Sequence, residues 1–303
     1  MLESSANDSL KVVGTQNANY HHSIFIHKKN IVIMQSILEN FANQYGILPT
    51  WVLLSLSIFL RYLLPAGLAY TVFYIWKRRD LWRMKIQQKL PKDADLRREL
   101  SHSLMTAGIF AAMAFGVFFL RKAGYGHMYF DISEQGWLYF FFSITAAILL
   151  HDTYFYWMHR LMHHPLLFKI LHRVHHQSYN PTPFTSFSFH PLEAIVEFGI
   201  VPFFAILIPM HPAALFVVTA WSMVFNVLGH TGYEISPSGF TRHWFFKWIN
   251  TPTHHNMHHS RSNSNYSLYF NFWDRVMGTN HPEYDEYFEK IKSRTSENAF
   301  ENI

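Results

Sequence analysis

Several stretches of this chain are too long and too apolar to be ordinary core segments. Trp51 to Trp76 reads WVLLSLSIFLRYLLPAGLAYTVFYIW, Ser103 to Leu120 reads SLMTAGIFAAMAFGVFFL, and Gly136 to Leu150 reads GWLYFFFSITAAILL. Two further runs, Ala194 to Ile208 and Ala213 to Gly229, are separated only by Pro209, Met210, His211 and Pro212, a tight reversal between helices. A hydrocarbon layer needs about 20 apolar residues to cross. Lipid offers the backbone no hydrogen bonds, so such crossings are helical. The expectation is an all-α, multi-pass membrane protein with four or five spanning segments. Composition agrees: only 15% of residues are charged, against roughly 25% in a soluble domain, and 18% are aromatic.

The first segment contains Arg61 and Pro65, leaving a single tilted helix and a broken pair both open. Before it, residues 1–49 form a polar N-terminal arm without the apolar core and cleavage site of a secretory signal. Residues 50–100 hold the first membrane segment and a basic loop, 101–280 a membrane and histidine-rich catalytic domain, and 281–303 a polar C-terminal tail. Between Lys77 and Arg98 lie nine Lys or Arg and three Asp. Such a loop between spans stays on the cytoplasmic side. This placement also explains the net charge of +5 without a nucleic-acid partner. Crossing out at 103–120 and back near 136–156 puts His159 to His190 on that side, and a membrane hairpin returns the chain there for His230 to His259. All the clustered histidines then share a cytoplasmic helical cap, on either a bacterial inner membrane or the endoplasmic reticulum.

Fifteen of the 21 histidines lie between His151 and His259. WMHRLMHH supplies His159 and His163, one helical turn or about 6 Å apart on one face. LHRVHH supplies His172, His175 and His176, and HHNMHH supplies His255, His258 and His259, each as H-x2-H-H. In that pattern one helical segment can serve two metals. His230, with Gly229 and Gly232 permitting close backbone approach, is the favoured additional ligand over His190. His151 shares the face of His159 but lies about 12 Å away along a straight helix, and Asp152 is placed either to orient the other ring nitrogen of His159 or to act as an anion outside the ligand set. His164 and His254 read as outward-facing or supporting neighbours, His243 as interfacial, and His211 as belonging to the opposite membrane side. His21, His22, His27, His102, His127 and His281 read as ordinary packing or interfacial histidines.

With no cysteine, thiolate metal sites, disulfides and a Cys nucleophile are all excluded. Eight or nine imidazoles exceed the six positions of an octahedral ion, so two metals are implied. Imidazole alone does not choose iron. A polar metal site at the end of aromatic membrane helices is nevertheless placed to attack an apolar substrate, and iron-activated dioxygen can take hydrogen from an unactivated C–H bond. Zinc in the same site would make a metal-dependent membrane hydrolase, although no H-E-x-x-H or serine elbow accompanies the histidines. A non-catalytic metal-binding or transport protein is the third reading.

The three histidine groups resemble the histidine boxes of the fatty acid hydroxylase and sterol desaturase superfamily. The surroundings match as well: Asp152, Tyr156, Trp157, His159, Arg160 and His163; Pro183, His190, Pro191 and Glu193; Asn226, His230, Gly232, Tyr233 and Glu234; and Thr251 and Pro252 before the last box. The resemblance spans about residues 100 to 280 and leans to the sterol desaturase branch through SFHPLE and GHTGYE. It implies a membrane-bound non-haem di-iron oxygenase using O2 to hydroxylate or desaturate a sterol, fatty acyl or related lipid. By carry-over, the eight box histidines are catalytic metal ligands to two Fe ions, with His230 as an additional ligand. No fused haem domain is apparent, which implies an external electron donor such as cytochrome b5, ferredoxin or a reductase.

Overall fold

The computed structural model describes residues 39–294. Most of the polar arm, with His21, His22 and His27, and the last nine residues lie outside the described range. Among the described residues, four helices are long and apolar enough to cross a membrane: α1 (Ile47–Trp76), α2 (Asp93–Lys122), α3 (Gly136–Met162) and α8 (Pro212–Gly229). Shorter helices between and after them include α4 (Pro165–Leu171), α5 (Arg173–His176), α6 (Pro191–Phe198), α7 (Ile200–Leu207) and α9 (Pro252–Arg261). A further helix, α10 (Tyr284–Lys292), lies within the C-terminal tail and buries Tyr284, Phe288 and Ile291.

Neither Arg61 nor Pro65 breaks α1, which is continuous and ends in a π-helical turn over Thr71–Trp76. α2 starts ten residues before the apolar run because Asp93 and Asp95 suit the positive end of a helix dipole, and it closes on Arg121 and Lys122 at the negative end. The two helices meet where Trp51 Nε1 donates to the Gly108 carbonyl at 2.9 Å, an approach that a larger residue at 108 would obstruct. Leu53, Leu60, Leu64 and Leu68 of α1 and Leu138, Phe141 and Phe142 of α3 stay exposed. On a soluble protein this surface would be a liability, but on a spanning helix it faces lipid.

α3 runs twelve residues beyond the apolar run. Its buried residues Phe140, Ser143, Ala147, His151, Phe155, His159 and Met162 recur at three or four residues, so one stripe carries the core from membrane packing into polar chemistry.

The expected hairpin is corrected in its first arm. Residues 194–208 do not form one crossing but fall into α6 and α7, broken at Gly199. A Cβ at Gly199 would lie 2.7 Å from the Tyr154 hydroxyl, which donates to the Val196 carbonyl at 2.7 Å. Close packing of this bend on α3 therefore favours glycine. The chain then turns at Met210, and His211 caps α8 while its other nitrogen meets the Phe130 carbonyl at 3.0 Å.

The C-terminal ends of α1, α3 and α8 and the N-terminal end of α2 converge. Tyr74 donates to the Thr231 carbonyl at 2.9 Å, and Glu99 accepts from Ser178 and Thr182. The basic loop is at the same end, where Gln87 donates to Asn256 at 3.0 Å. α9 is packed there with Pro252 to His259 entirely buried, so a strongly polar helix forms the centre of the cap.

Candidate metal centre

The end of α3, the α4–α5 corner, the end of α8 and α9 bring nine histidines into two adjoining groups. His159, His163, His172, His176 and His258 form one; His175, His230, His255 and His259 form the other, and within each group one nitrogen per ring lies within 4.8 Å of the rest. The two H-x2-H-H segments divide between them in opposite senses. His172 and His176 enter the five-histidine group and His175 the other, whereas His255 and His259 enter the four-histidine group and His258 the first. Successive helical residues differ by about 100°, so i+3 and i+4 diverge to either side of i, by about 60° and 40°, and one short segment can reach two neighbouring groups.

Backbone carbonyls set the tautomers. Nδ1 of His159 faces Tyr266 O at 2.7 Å, that of His258 faces Ser264 O at 2.7 Å, and that of His230 faces Asn226 O at 2.7 Å. His175 Nδ1 faces Ser188 O at 3.3 Å, and His172 Nδ1 faces the Glu193 carboxylate at 2.5 Å. A carbonyl or carboxylate can only accept, so each of these Nδ1 atoms carries the hydrogen and each Nε2 is a bare lone pair. Those lone pairs face one another. His159 and His172 stand 3.0 Å apart at Nε2, and His230 and His175 3.2 Å. Lone pair against lone pair is repulsive unless a cation lies between. Two nitrogens bound to one ion at about 2.1 Å in neighbouring positions would stand about 3 Å apart. His163 Nε2 is buried without any partner, as an open ligand position would be. The residues therefore fit two metal ions.

Electrostatics keeps these rings in their ligand form. Burial, reinforced by neighbouring imidazoles, pushes His163, His172, His175, His255, His258 and His259 well below the usual histidine range. Burial also takes His176 down to about 3 and His230 to about 4. Near neutral pH the rings are uncharged, the form that binds a metal.

The remaining histidines have other partners. His151 Nδ1 meets the Tyr269 hydroxyl at 2.8 Å, outside both groups. Asp152 does not orient His159: its Oδ1 accepts from the backbone of Tyr269 at 2.8 Å, pinning the loop beyond α9, and Tyr266 O takes the expected role. His164 and His190 cap α4 and α6. His254 is buried beside Asp274 at 3.5 Å, and Asp274 accepts from Tyr266 and Ser267, steadying the loop whose carbonyls hold His159 and His258. Glu193 is the supporting group whose role the sequence did not reveal. Its signal was a carboxylate three residues after His190, at the N-terminus of α6, whose Oε2 accepts from the His190 backbone while Oε1 holds His172.

Residues 144–279 match the sequence profile of the fatty acid hydroxylase family. A Delta(7)-sterol 5(6)-desaturase of Gibberella zeae is 29% identical over 234 residues, 76% of this chain and 69% of the relative. A lathosterol oxidase of Rattus norvegicus is 29% identical over 263 residues, 83% of each chain. A Delta(7)-sterol 5(6)-desaturase of Schizosaccharomyces pombe is 29% identical over 271 residues, 86% of this chain and 75% of the relative. The chain belongs to the fatty acid hydroxylase/sterol desaturase superfamily. No solved structure matches it. As a superfamily member it is a multi-pass membrane protein with the general oxidoreductase function of these lipid hydroxylases and desaturases, and its two histidine groups are consistent with a di-iron site.

Proposed function

We propose that this superfamily member is an oxygen-dependent di-iron desaturase of sterol-class lipids. The observation that carries the reading is the convergence of imidazole lone pairs in two groups beside an apolar cavity between the membrane helices. The sterol assignment is supported by the names of the relatives, which act on sterols. His159, His163, His172, His176 and His258 would hold one iron, and His175, His230, His255 and His259 the other. When bound, the irons supply dioxygen chemistry strong enough to oxidise an unactivated C–H bond. Introducing one double bond removes two hydrogens from the lipid. Dioxygen takes these with two electrons and two protons and leaves as two waters, so an external donor such as cytochrome b5, a ferredoxin or a reductase is required.

The protein's own part is to position and to exclude water. Glu193 and the carbonyls of Ser188, Asn226, Ser264 and Tyr266 fix ring orientation. Phe189 packs on His175 with ring centres 5.3 Å apart and also lines the cavity, so the lipid phase and the metal site share a wall. The basic loop at the histidine end favours the cytoplasmic face of a bacterial inner membrane or of the endoplasmic reticulum.

The test is purification with iron analysis, then incubation with reductant, oxygen and candidate sterols. A product lighter by two hydrogens is expected; a gain of one oxygen would replace desaturation by hydroxylation, and turnover without oxygen would indicate a hydrolase. Substituting His175→Ala should lower bound iron and abolish product while the protein remains membrane-inserted. Unchanged iron content and turnover would defeat its assignment as a ligand.

A further inference from the structure

The cavity beside the metal centre has a volume of about 420 Å³ and is walled mainly by apolar side chains such as Ile58, Phe110, Phe187, Phe204 and Met223. The polar groups on its wall are mostly satisfied within the chain. Thr219 donates to the Phe216 carbonyl at 3.0 Å and Asn226 to the Ser186 carbonyl at 2.8 Å. Arg61 lies over the Phe216 ring at 5.4 Å, about 22 Å along α1 from the histidine end. The Tyr269 hydroxyl meets His151 Nδ1 at 2.8 Å. With the Tyr269 hydroxyl donating to Nδ1, the hydrogen of His151 is on Nε2, which has no partner among the described residues. Glu197 is the other exception. Its carboxyl group lines the cavity and has neither a hydrogen bond nor an ion pair among the described residues. An enclosed carboxyl group without a partner is unfavourable, so the pair points to a partner supplied from outside the chain.

We propose that Glu197 and His151 form a hydroxyl-binding spot that positions an amphiphilic lipid in this cavity. A hydroxyl group matches both members, donating to a Glu197 oxygen while accepting from His151 Nε2–H. A carboxylate or phosphate head would instead meet the oxygens of Glu197. Position along the helices relates the spot to the site of oxidation. Glu197 lies one turn from Glu193, which holds His172, and His151 lies two turns from His159. Along the helices the spot therefore lies roughly 6 Å from the carboxyl group that holds His172 and roughly 12 Å from His159. This inference rests on the reading of the cavity as the lipid substrate site.

The experiment is equilibrium binding, to the full chain in detergent, of a radiolabelled saturated sterol alcohol and of the matched sterol hydrocarbon lacking the hydroxyl. Neither metal nor turnover is needed. The alcohol is expected to bind about tenfold more tightly than the hydrocarbon. That preference should vanish in Glu197→Leu, shrink in His151→Phe and persist in part in Glu197→Gln, which keeps an acceptor. Glu197→Leu should also raise the thermal midpoint of the ligand-free protein, opposite to the effect of losing a structural contact. Equal binding of the two lipids to the unmodified protein, or an undiminished preference in both Glu197→Leu and His151→Phe, would overturn the hydroxyl spot alone. Binding of neither lipid would overturn it together with the assignment of the cavity.

Discussion

Glu193 shows how a single side chain can govern a histidine group without belonging to it. Its Oε1 stands 2.5 Å from His172 Nδ1 and its Oε2 accepts from the His190 backbone, so one carboxylate both orients a ring and caps α6. Substituting Glu193→Leu removes the acceptor that holds the His172 tautomer. Iron affinity should fall by about 10–100-fold, with Glu193→Gln intermediate, measured by titrating iron into the stripped protein. Equal affinities in all three proteins would remove Glu193 from the account. Lys85 presents a different case. It is buried, lies over the rings of Tyr74 and Tyr233 at 5.3 and 5.2 Å, and donates to Asn180 and the Gly232 carbonyl. Burial lowers its pKa to about 7, whereas an unfolded lysine titrates near 10.4. Between those values the unfolded chain holds the extra proton, so raising the pH from 7.5 to 9.5 should stabilise the fold. The thermal midpoint of the unmodified protein should rise relative to that of Lys85→Met over this range; parallel curves would contradict the lowered pKa. Eight of the nine grouped histidines were legible because helical spacing is written in the sequence, and His230 through its flanking glycines. The carbonyls that set their tautomers were not, since a carbonyl has no letter of its own and is aimed by the loop that carries it.

Elements were legible where one physical cause dominated and obscure where two competed. The apolar runs announced α1, α2, α3 and α8 because nothing but a membrane crossing suits them. The continuation of α3 to Met162 could be read only in outline, because polar residues at its end look like an exit from the membrane until the buried stripe is seen in three dimensions. The run from Ala194 to Ile208 misled for a definite reason: length and hydropathy suggested a span, whereas its path is set by packing on Tyr154. Gly199 should therefore be intolerant of size. Gly199→Val places a Cβ 2.7 Å from the Tyr154 hydroxyl and 3.1 Å from the Val196 carbonyl. Overpacking of this kind costs about 1–3 kcal/mol. Tyr154→Phe removes the clashing oxygen, so part of the loss should be recovered in the double substitution, read as a positive coupling in a thermal-unfolding cycle. Strict additivity would separate the two residues energetically.

At the scale of the whole molecule, the alternation of spans and the half-crossing of α6 and α7 have one consequence: every grouped histidine is at the end that carries the basic loop. The path from α1 through α2 and α3 crosses in alternate directions, and the α6–α7 bend reverses it again so that α8 returns to the same end. This convergence was legible from the spacing of spans, but which face of the membrane receives it depends on how insertion responds to Lys and Arg. The absence of cysteine makes that question directly measurable. Gln88→Cys places one thiol in the exposed basic loop, and Tyr125→Cys places one in the exposed connection between α2 and α3 at the opposite end. In intact cells or sealed microsomes, a membrane-impermeant maleimide added outside cells should label Tyr125→Cys and spare Gln88→Cys, and the pattern should invert in microsomes whose cytoplasmic face is outward. Permeabilisation should make both thiols reactive. The reverse labelling would move the metal centre to the non-cytoplasmic face and require a donor on that side, while leaving the two histidine groups and their geometry intact. Labelling of both thiols from one side of a sealed membrane would instead break the alternation of spans on which the common placement of the histidines depends.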